Sequence, residues 1–160
     1  MHTTLTLSNI GTMEMKTLNL PMTEQQFDTE VNDLTYNGMN DCEIVDVESE
    51  YKLFTKYLDL PLVAKFNKML QSNQELGDFN ILVDCCDELE DAVKLFEEGN
   101  YLIHEASTDE ELGHSLMEAR GYLDHLPEEV TYCFDYDDYG FQEQCNGLFY
   151  KGSEHYIEVI

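Results

Sequence analysis

The chain has 160 residues, 42% of them hydrophobic, which suits one compact domain or a few small units sharing a core. Its 34 acidic residues against eight basic ones give a formal net charge of −26, a balance that repels nucleic acid and anionic membranes. The five cysteines form no CxxC motif, and no segment has the length of a membrane span or the pattern of a signal peptide. We therefore expect a soluble cytoplasmic protein with reduced thiols.

The first 48 residues are predicted to form a small α+β unit. Apolar and polar residues alternate over 3–10, which is typical of a half-buried strand, and a second strand is expected to end before Pro21. Thr23 and Gln26 have the spacing of a capping box at the start of a helix. Residues 43–48 alternate again and predict a third strand.

The middle of the chain is predicted to be helical. We expect a helix over 49–58, another that begins at Pro61, and a third over 84–98 that ends at Gly99. The apolar run at 79–83 is too short to assign. Pattern alone thus predicts a change from α+β to helical structure along the chain.

The C-terminal third is predicted to return to mixed structure. A strand is expected at 101–104, and Thr108 with Glu111 predicts a capping box at the start of a helix that ends near residue 121. A short helix is expected at Pro127, and a hairpin that turns at Gly152-Ser153 closes the chain. Strand order is left open by these patterns.

Acidic residues are concentrated in the second half of the chain. Residues 71–160 contain 23 acids and three bases, whereas residues 1–70 contain 11 acids and five bases. Residues 105–143 alone hold twelve acids against Arg120, interleaved with regularly spaced leucines and aromatic residues. A disordered acidic tail would lack these apolar residues, so we predict a folded acidic surface.

Three interpretations of this surface remain open: solubility or salt adaptation, attraction to an unspecified basic partner, and mimicry of the DNA backbone. B-DNA carries one charge per about 1.7 Å of axis, so 26 charges match roughly 44 Å, or about 13 base pairs. Helices over 84–98 and 108–120 would each present a row of carboxylates. The carboxylates predicted to stand in for phosphates are Asp84, Asp87, Glu88, Asp91, Glu98, Asp109, Glu110, Glu111, Glu118, Asp124, Asp135, Asp137 and Asp138.

The sequence does not predict an enzyme, a cofactor or a metal site. It contains no nucleophile motif, no phosphate-binding glycine loop and no HExxH. Residues 135–146 begin like a calcium loop but have Asn146 where the bidentate Glu belongs. Glu110, His114 and Glu118 share a helix face, so an acidic divalent-metal-binding protein stays open as an alternative of a different class.

The order and spacing of many short segments resemble the ArdA antirestriction proteins over nearly the whole chain. The likeness is strongest at Asn9-Ile10-Gly11 with Leu20-Pro21, at the 43–48 segment EIVDVE, and in the C-terminal third. The matching positions in that third are Asn100-Tyr101, Glu105, Asp109 to Gly113, Glu118, Gly121, Leu126 to Glu128, Phe134 to Tyr136, Tyr139-Gly140, Gly147 and Tyr156 to Glu158. After Tyr139-Gly140 the family usually has Arg-Asp, and this chain has Phe141-Gln142 instead.

The resemblance implies an elongated, curved α+β molecule of three subdomains, α/β at 1–60, helical at 61–100 and α/β at 101–160. It implies a homodimer in the bacterial cytoplasm that occupies the DNA-binding groove of a type I restriction-modification enzyme and binds no nucleic acid or membrane itself. The segment from Asp109 to Gly121 would be the antirestriction motif. A DNA mimic directed against another defence protein, such as a CRISPR effector, stays open as an alternative.

Overall fold

A computed structural model of the protein describes residues 2–72 and 77–160. In that part of the chain it has seven α-helices and two three-stranded antiparallel sheets, so the predicted α+β class is confirmed. The chain divides into two units, Met1–Asn80 and Ile81–Ile160, and each is described by itself. The division into three subdomains stays a prediction.

The first unit is built on a sheet with strand order β2-β1-β3. The strands are β1 (Thr3–Asn9), β2 (Met15–Leu20) and β3 (Cys42–Ser49), as the alternating pattern predicted, although β2 begins earlier than expected. β1 is central, which explains why its inward side chains Leu5 and Leu7 are fully buried. The sheet therefore contributes buried side chains to this unit's core.

Two helices follow the predicted start signals in the first unit. Helix α1 (Glu24–Leu34) begins with the predicted capping box: Thr23 Oγ1 accepts from the Gln26 N–H, and the Gln26 side chain accepts from the Thr23 N–H, each at 3.1 Å. Helix α2 (Leu60–Ser72) carries a buried Asn67 whose side chain makes two 2.8 Å bonds with the Met22 backbone. These bonds hold α2 against the segment that leads into α1.

The predicted helix over 49–58 is wrong. β3 continues through Ser49, whose hydroxyl accepts from the Tyr51 N–H at 3.1 Å and so starts a turn. Tyr51 and Phe54 are then buried against Phe66 of α2, with ring centroids 5.1 and 4.7 Å apart. Burying two aromatic rings stabilises the irregular path more than a short surface helix would.

The predicted single helix over 84–98 is also wrong, because the chain forms two helices there. Helix α3 (Gly77–Cys85) includes the unassigned apolar run, and helix α4 (Leu89–Glu98) follows after a break. The Asp84 carboxylate accepts from both the N–H and the hydroxyl of Ser153 at 2.9 Å, which ties the end of α3 to the C-terminal hairpin. As predicted, Gly99 ends α4 in the left-handed conformation, with φ 68°.

The second unit has its own sheet, with strand order β4-β6-β5. β4 (Tyr101–Glu105) and the hairpin of β5 (Phe149–Lys151) and β6 (His155–Val159) were all predicted. Helix α5 (Asp109–Ala119) buries Leu112 and Leu116 completely, two of the regularly spaced leucines within residues 105–143. The core they form with Ala106 and Tyr156 is packed against Tyr139 and Phe149.

Two further helices lie between α5 and the hairpin. The short helix α6 (Glu128–Thr131) follows Pro127, as predicted. Helix α7 (Tyr136–Asn146) was not predicted, although Asp135 with Asp137 and Asp138 is an ordinary helix-start pattern. Asp135 caps it by accepting from the Asp138 N–H at 3.0 Å, so the segment that begins like a calcium loop is the first turn of a helix.

Candidate functional site

The first turn of α5 holds three consecutive carboxylates, those of Asp109, Glu110 and Glu111. Thr108 caps the helix as predicted, accepting from the Glu111 N–H at 3.2 Å. The Glu111 carboxylate, however, accepts from the hydroxyl (2.7 Å) and N–H (2.8 Å) of Ser107, which replaces the expected return bond to Thr108. The Ser107 hydroxyl is the main cause that lowers the pKa of Glu111, so this exposed side chain stays ionised.

Asp109 is anchored to the rest of the second unit. Its Oδ1 accepts from the Gln144 side-chain amide at 3.0 Å and from the Tyr156 hydroxyl at 2.7 Å, and Lys151 Nζ lies 3.7 Å away. The bond from Gln144, followed by that from Tyr156, lowers the pKa of the Asp109 carboxyl. Asp109 is thus ionised, but one of its oxygens binds α7 and the hairpin.

Arg120, the only arginine of the chain, lies at the C-terminal end of α5 and crosses to two other elements. Its Nη1 donates to the Tyr139 hydroxyl and to Glu143, each at 2.7 Å, and its Nη2 donates to Glu158 at 3.0 Å. Burial works to lower the pKa of Arg120, but these bonds outweigh it and raise the pKa. The second oxygen of Glu158 lies 3.1 Å from Nε2 of the buried His104, so the network reaches β4.

The structure separates the thirteen predicted carboxylates into two groups. Four accept hydrogen bonds from this protein's own donors and help to hold its fold: Asp84, Asp109, Glu111 and Asp135. In the described part of the chain, nine have no hydrogen bond or ion pair: Asp87, Glu88, Asp91, Glu98, Glu110, Glu118, Asp124, Asp137 and Asp138. Of these nine only Asp91 is half-buried, and the others are exposed.

The nine free carboxylates do not lie on two long helical rows. Because the 84–98 helix is broken, Asp87 and Glu88 lie between α3 and α4, while Glu98 ends α4. Asp137 and Asp138 lie in the first turn of α7, a position that sequence patterns did not assign to a helix. The exposed charge is therefore spread over helix ends and the connections between helices. The helix dipole favours those carboxylates that lie at helix N-termini.

Sequence analysis also left out carboxylates on β3 in the first unit. Glu43, Asp46 and Glu48 are exposed on this edge strand, and the bulge at Val45 shifts the register between the first and the other two. Alternation of acidic with apolar residues was the available signal. That pattern predicts the strand, and it also places these carboxylates on the strand's outward face.

Two negative observations apply to residues 2–72 and 77–160. Among them, no group of three or more His, Cys, Asp or Glu side chains is placed to hold a metal ion. No helix in the same residues is long and apolar enough to cross a membrane. A groove beside α5 is lined by Ile103, Glu105, Glu111, His114, Ser115 and Glu118.

These features define a class: an acidic α+β protein whose exposed carboxylates lie largely at helix ends and in connections. The family model described as antirestriction protein (ArdA) matches residues 3–158, which is nearly the whole chain. The protein therefore belongs to the ArdA antirestriction family, and the resemblance described above is confirmed. No curated protein matches the chain.

Proposed function

We propose that this protein inhibits type I restriction-modification enzymes by occupying their DNA-binding groove, with carboxylates placed where DNA phosphates would lie. Family membership supports antirestriction as the activity. The observation that carries the mechanism is the set of nine free carboxylates in the second unit, since a free carboxylate has no internal cation to neutralise it. In this proposal the protein acts as an inhibitor and not as an enzyme.

The distribution of bases adds to this proposal. Residues 81–160 contain three basic residues, and two of them already contact carboxylates: Arg120 binds Glu143 and Glu158, and Lys151 lies near Asp109. Only Lys94 lies outside these contacts. The exposed charge of the second unit is consequently almost all negative, which favours association with a basic groove and repels DNA.

The oligomeric state and the place of action are part of the same proposal. The working form would be a homodimer, and the place of action would be the cytoplasm of a bacterial host, where restriction enzymes meet incoming DNA. Because many carboxylates share the electrostatic attraction, single amide substitutions among the nine should change inhibition little. Blocks of substitutions should be needed to weaken it.

Displacement of DNA tests the proposal directly. The purified protein is mixed with a type I restriction-modification enzyme and a fluorescent duplex that carries its recognition site, over a series of salt concentrations. Stoichiometric displacement that weakens as salt rises is the expected result. Duplex that stays bound at low salt with excess protein would reject this target and turn attention to CRISPR effectors and divalent metals.

Two triple variants test which part of the protein provides the electrostatic attraction to the enzyme. E110Q/D137N/D138N removes three free charges from α5 and α7, and E24Q/D28N/E50Q removes the same number of exposed charges from the first unit, outside the turn and loop described below. The first variant should need more protein for half displacement and should lose part of the salt dependence, and the second should resemble the wild type. Equal effects of the two variants on DNA displacement would show that only the net charge matters. That result would contradict the proposal that carboxylates at particular positions take the place of phosphates.

A further inference from the structure

Exposed apolar side chains gather at one end of the first unit. They are carried by the turn between β1 and β2, by the first residue of β2, and by the loop between α1 and β3. The apolar tip consists of Ile10, Met13, Met15, Tyr36 and Met39. Met13 and Met39 are the most exposed, at 68% and 85%. Exposed apolar patches with a polar rim are typical of protein-binding surfaces.

The two loops that carry the apolar tip are fastened to each other. The Ile10 N–H donates to the Asp41 carbonyl at 3.0 Å, and the Tyr36 hydroxyl donates to the Glu14 carboxylate at 2.6 Å. The buried Asn9 side chain donates to the Leu34 carbonyl at 2.7 Å and accepts from two N–H groups of the β1–β2 turn. The hydrogen bonds therefore hold the two loops of the tip in a defined arrangement.

The backbone at the tip also has an unusual form. Met13 has φ 62° and Tyr36 has φ 52°, a left-handed conformation that large side chains rarely adopt. Such conformations persist where the surrounding structure enforces them, and they cluster at functional sites. Methionine is moreover the side chain that adapts most readily to differently shaped partner surfaces.

The rim of the apolar tip is negatively charged. Glu14, Asp33 and Asp41 are exposed around it. Lys16 is the only base among residues 1–51, and it forms an ion pair with Glu30 of α1. A partner surface that fits this tip thus has an apolar centre and a basic surround.

We propose that the apolar tip docks on the protein surface that borders the basic DNA-binding groove of the same restriction-modification enzyme. This inference rests on the proposed function. Charge complementarity favours that occupant over a second copy, because a symmetric self-contact would bring Glu14, Asp33 and Asp41 against their own negative counterparts. The tip would add apolar contacts that DNA does not make, so inhibitor binding would exceed what charge alone provides.

A double variant with a matched control tests the docking. M13N/M39S removes the two most exposed methionines, and asparagine tolerates the left-handed conformation at position 13. Y57S is the control, since Tyr57 is 86% exposed in the same unit but lies outside the tip. Affinity for the enzyme is measured by displacement of the fluorescent duplex at several salt concentrations, together with thermal melting and the oligomeric state of each protein.

The expected result is that M13N/M39S binds about tenfold more weakly at every salt concentration, with the salt dependence of the wild type. Y57S should bind like the wild type, and all three proteins should melt alike. Wild-type affinity in M13N/M39S would overturn the docking while leaving the proposed function intact. A changed oligomeric state in that variant would also overturn it, by showing a self-contact, whereas a wild type that displaces no DNA would reject both proposals.

Discussion

Gly113 of α5 and Gly140 of α7 lie directly against each other, so the two helices meet backbone to backbone. A Cβ atom on Gly113 would come 1.9 Å from the Tyr136 carbonyl oxygen, and one on Gly140 would come 2.0 Å from the Asp109 carbonyl oxygen. Neither oxygen belongs to a side chain that can rotate away. This crossing sets where the carboxylates at the start of both helices lie relative to one another.

Substitution G140A should destabilise the protein, because the added methyl group forces α5 and α7 apart and opens the core beneath them. We expect a loss of about 2 kcal/mol or more in the free energy of unfolding, with a melting temperature lower by about 4–8 °C. Thermal and urea denaturation followed by circular dichroism measure both quantities.

G77A is the control for G140A. Gly77 begins α3, and a Cβ there would meet no atom of the described residues within 4 Å. Since alanine favours helix more than glycine does, this variant should melt at or slightly above the wild-type temperature. Equal destabilisation by both substitutions would show that the close crossing of α5 and α7 does not matter for stability.

Loss of Arg120 should separate the end of α5 from α7 and β6. In R120A, Glu143 and the largely buried Glu158 lose their cation, and we expect the free energy of unfolding to fall by about 2 kcal/mol. R120K should lie between R120A and the wild type, because a lysine ammonium cannot reproduce the two-sided guanidinium contact. K94A, at an exposed position on α4, serves as the control in the same urea titrations and should unfold like the wild type.

The contribution of Asp109 to stability should depend on pH. Its pKa is lowered in the folded protein from an ordinary value of 3.8, so its stabilising effect is complete above that value. The effect is lost as the pH falls through the lower folded pKa. D109N should therefore melt below the wild type at pH 7, by an amount equivalent to about 1 kcal/mol, and the difference should shrink below pH 3.8.

The control for D109N is D137N, since the Asp137 side chain is exposed and its carboxylate makes no hydrogen bond or ion pair with another described residue. D137N should melt close to the wild type across the same pH range. A gap between D109N and the wild type that stays constant down to pH 2 would contradict the role assigned to the Gln144 and Tyr156 bonds.

Salt should act on the fold and on partner binding in opposite directions. With a net charge of −26 the folded protein repels itself, and screening by salt relieves that repulsion. Raising NaCl from about 0.02 M to about 0.5 M should increase the melting temperature while it weakens displacement of DNA from the enzyme. A melting temperature that falls with salt would show that internal ion pairs, such as those of Arg120, outweigh the repulsion.

Local signals were reliable where the bonds that define an element lie within a few residues. The capping box of Thr23 and Gln26 and the cap at Thr108 formed as predicted, as did the left-handed end of α4 at Gly99. Predictions failed where a distant group competes for the same residues. The 49–58 segment turns to bury Tyr51 and Phe54 against Phe66, and Asp84 binds Ser153, 69 residues later.

In the candidate surface, too, some features follow from the sequence alone and others depend on contacts between distant residues. Composition predicted an acidic second half, because charge can be counted without a structure. It did not predict that Asp84, Asp109, Glu111 and Asp135 would be used as internal hydrogen-bond acceptors, since their donors come from separate turns, helices and strands. It also gave no weight to the apolar tip, whose residues are close only because two loops are bonded to each other.

The sequence by itself determined the α+β class, the strands, the helix ends that carry local caps and the excess of negative charge, because periodicity, caps and composition are local or additive properties. It also carried enough ordered motifs to indicate the family. Only the tertiary structure decided which carboxylates are free and which hold the fold, and where α5 crosses α7. These outcomes depend on contacts between residues far apart in the chain, such as Gly113 with Gly140 and Asp109 with Tyr156, which no local pattern contains.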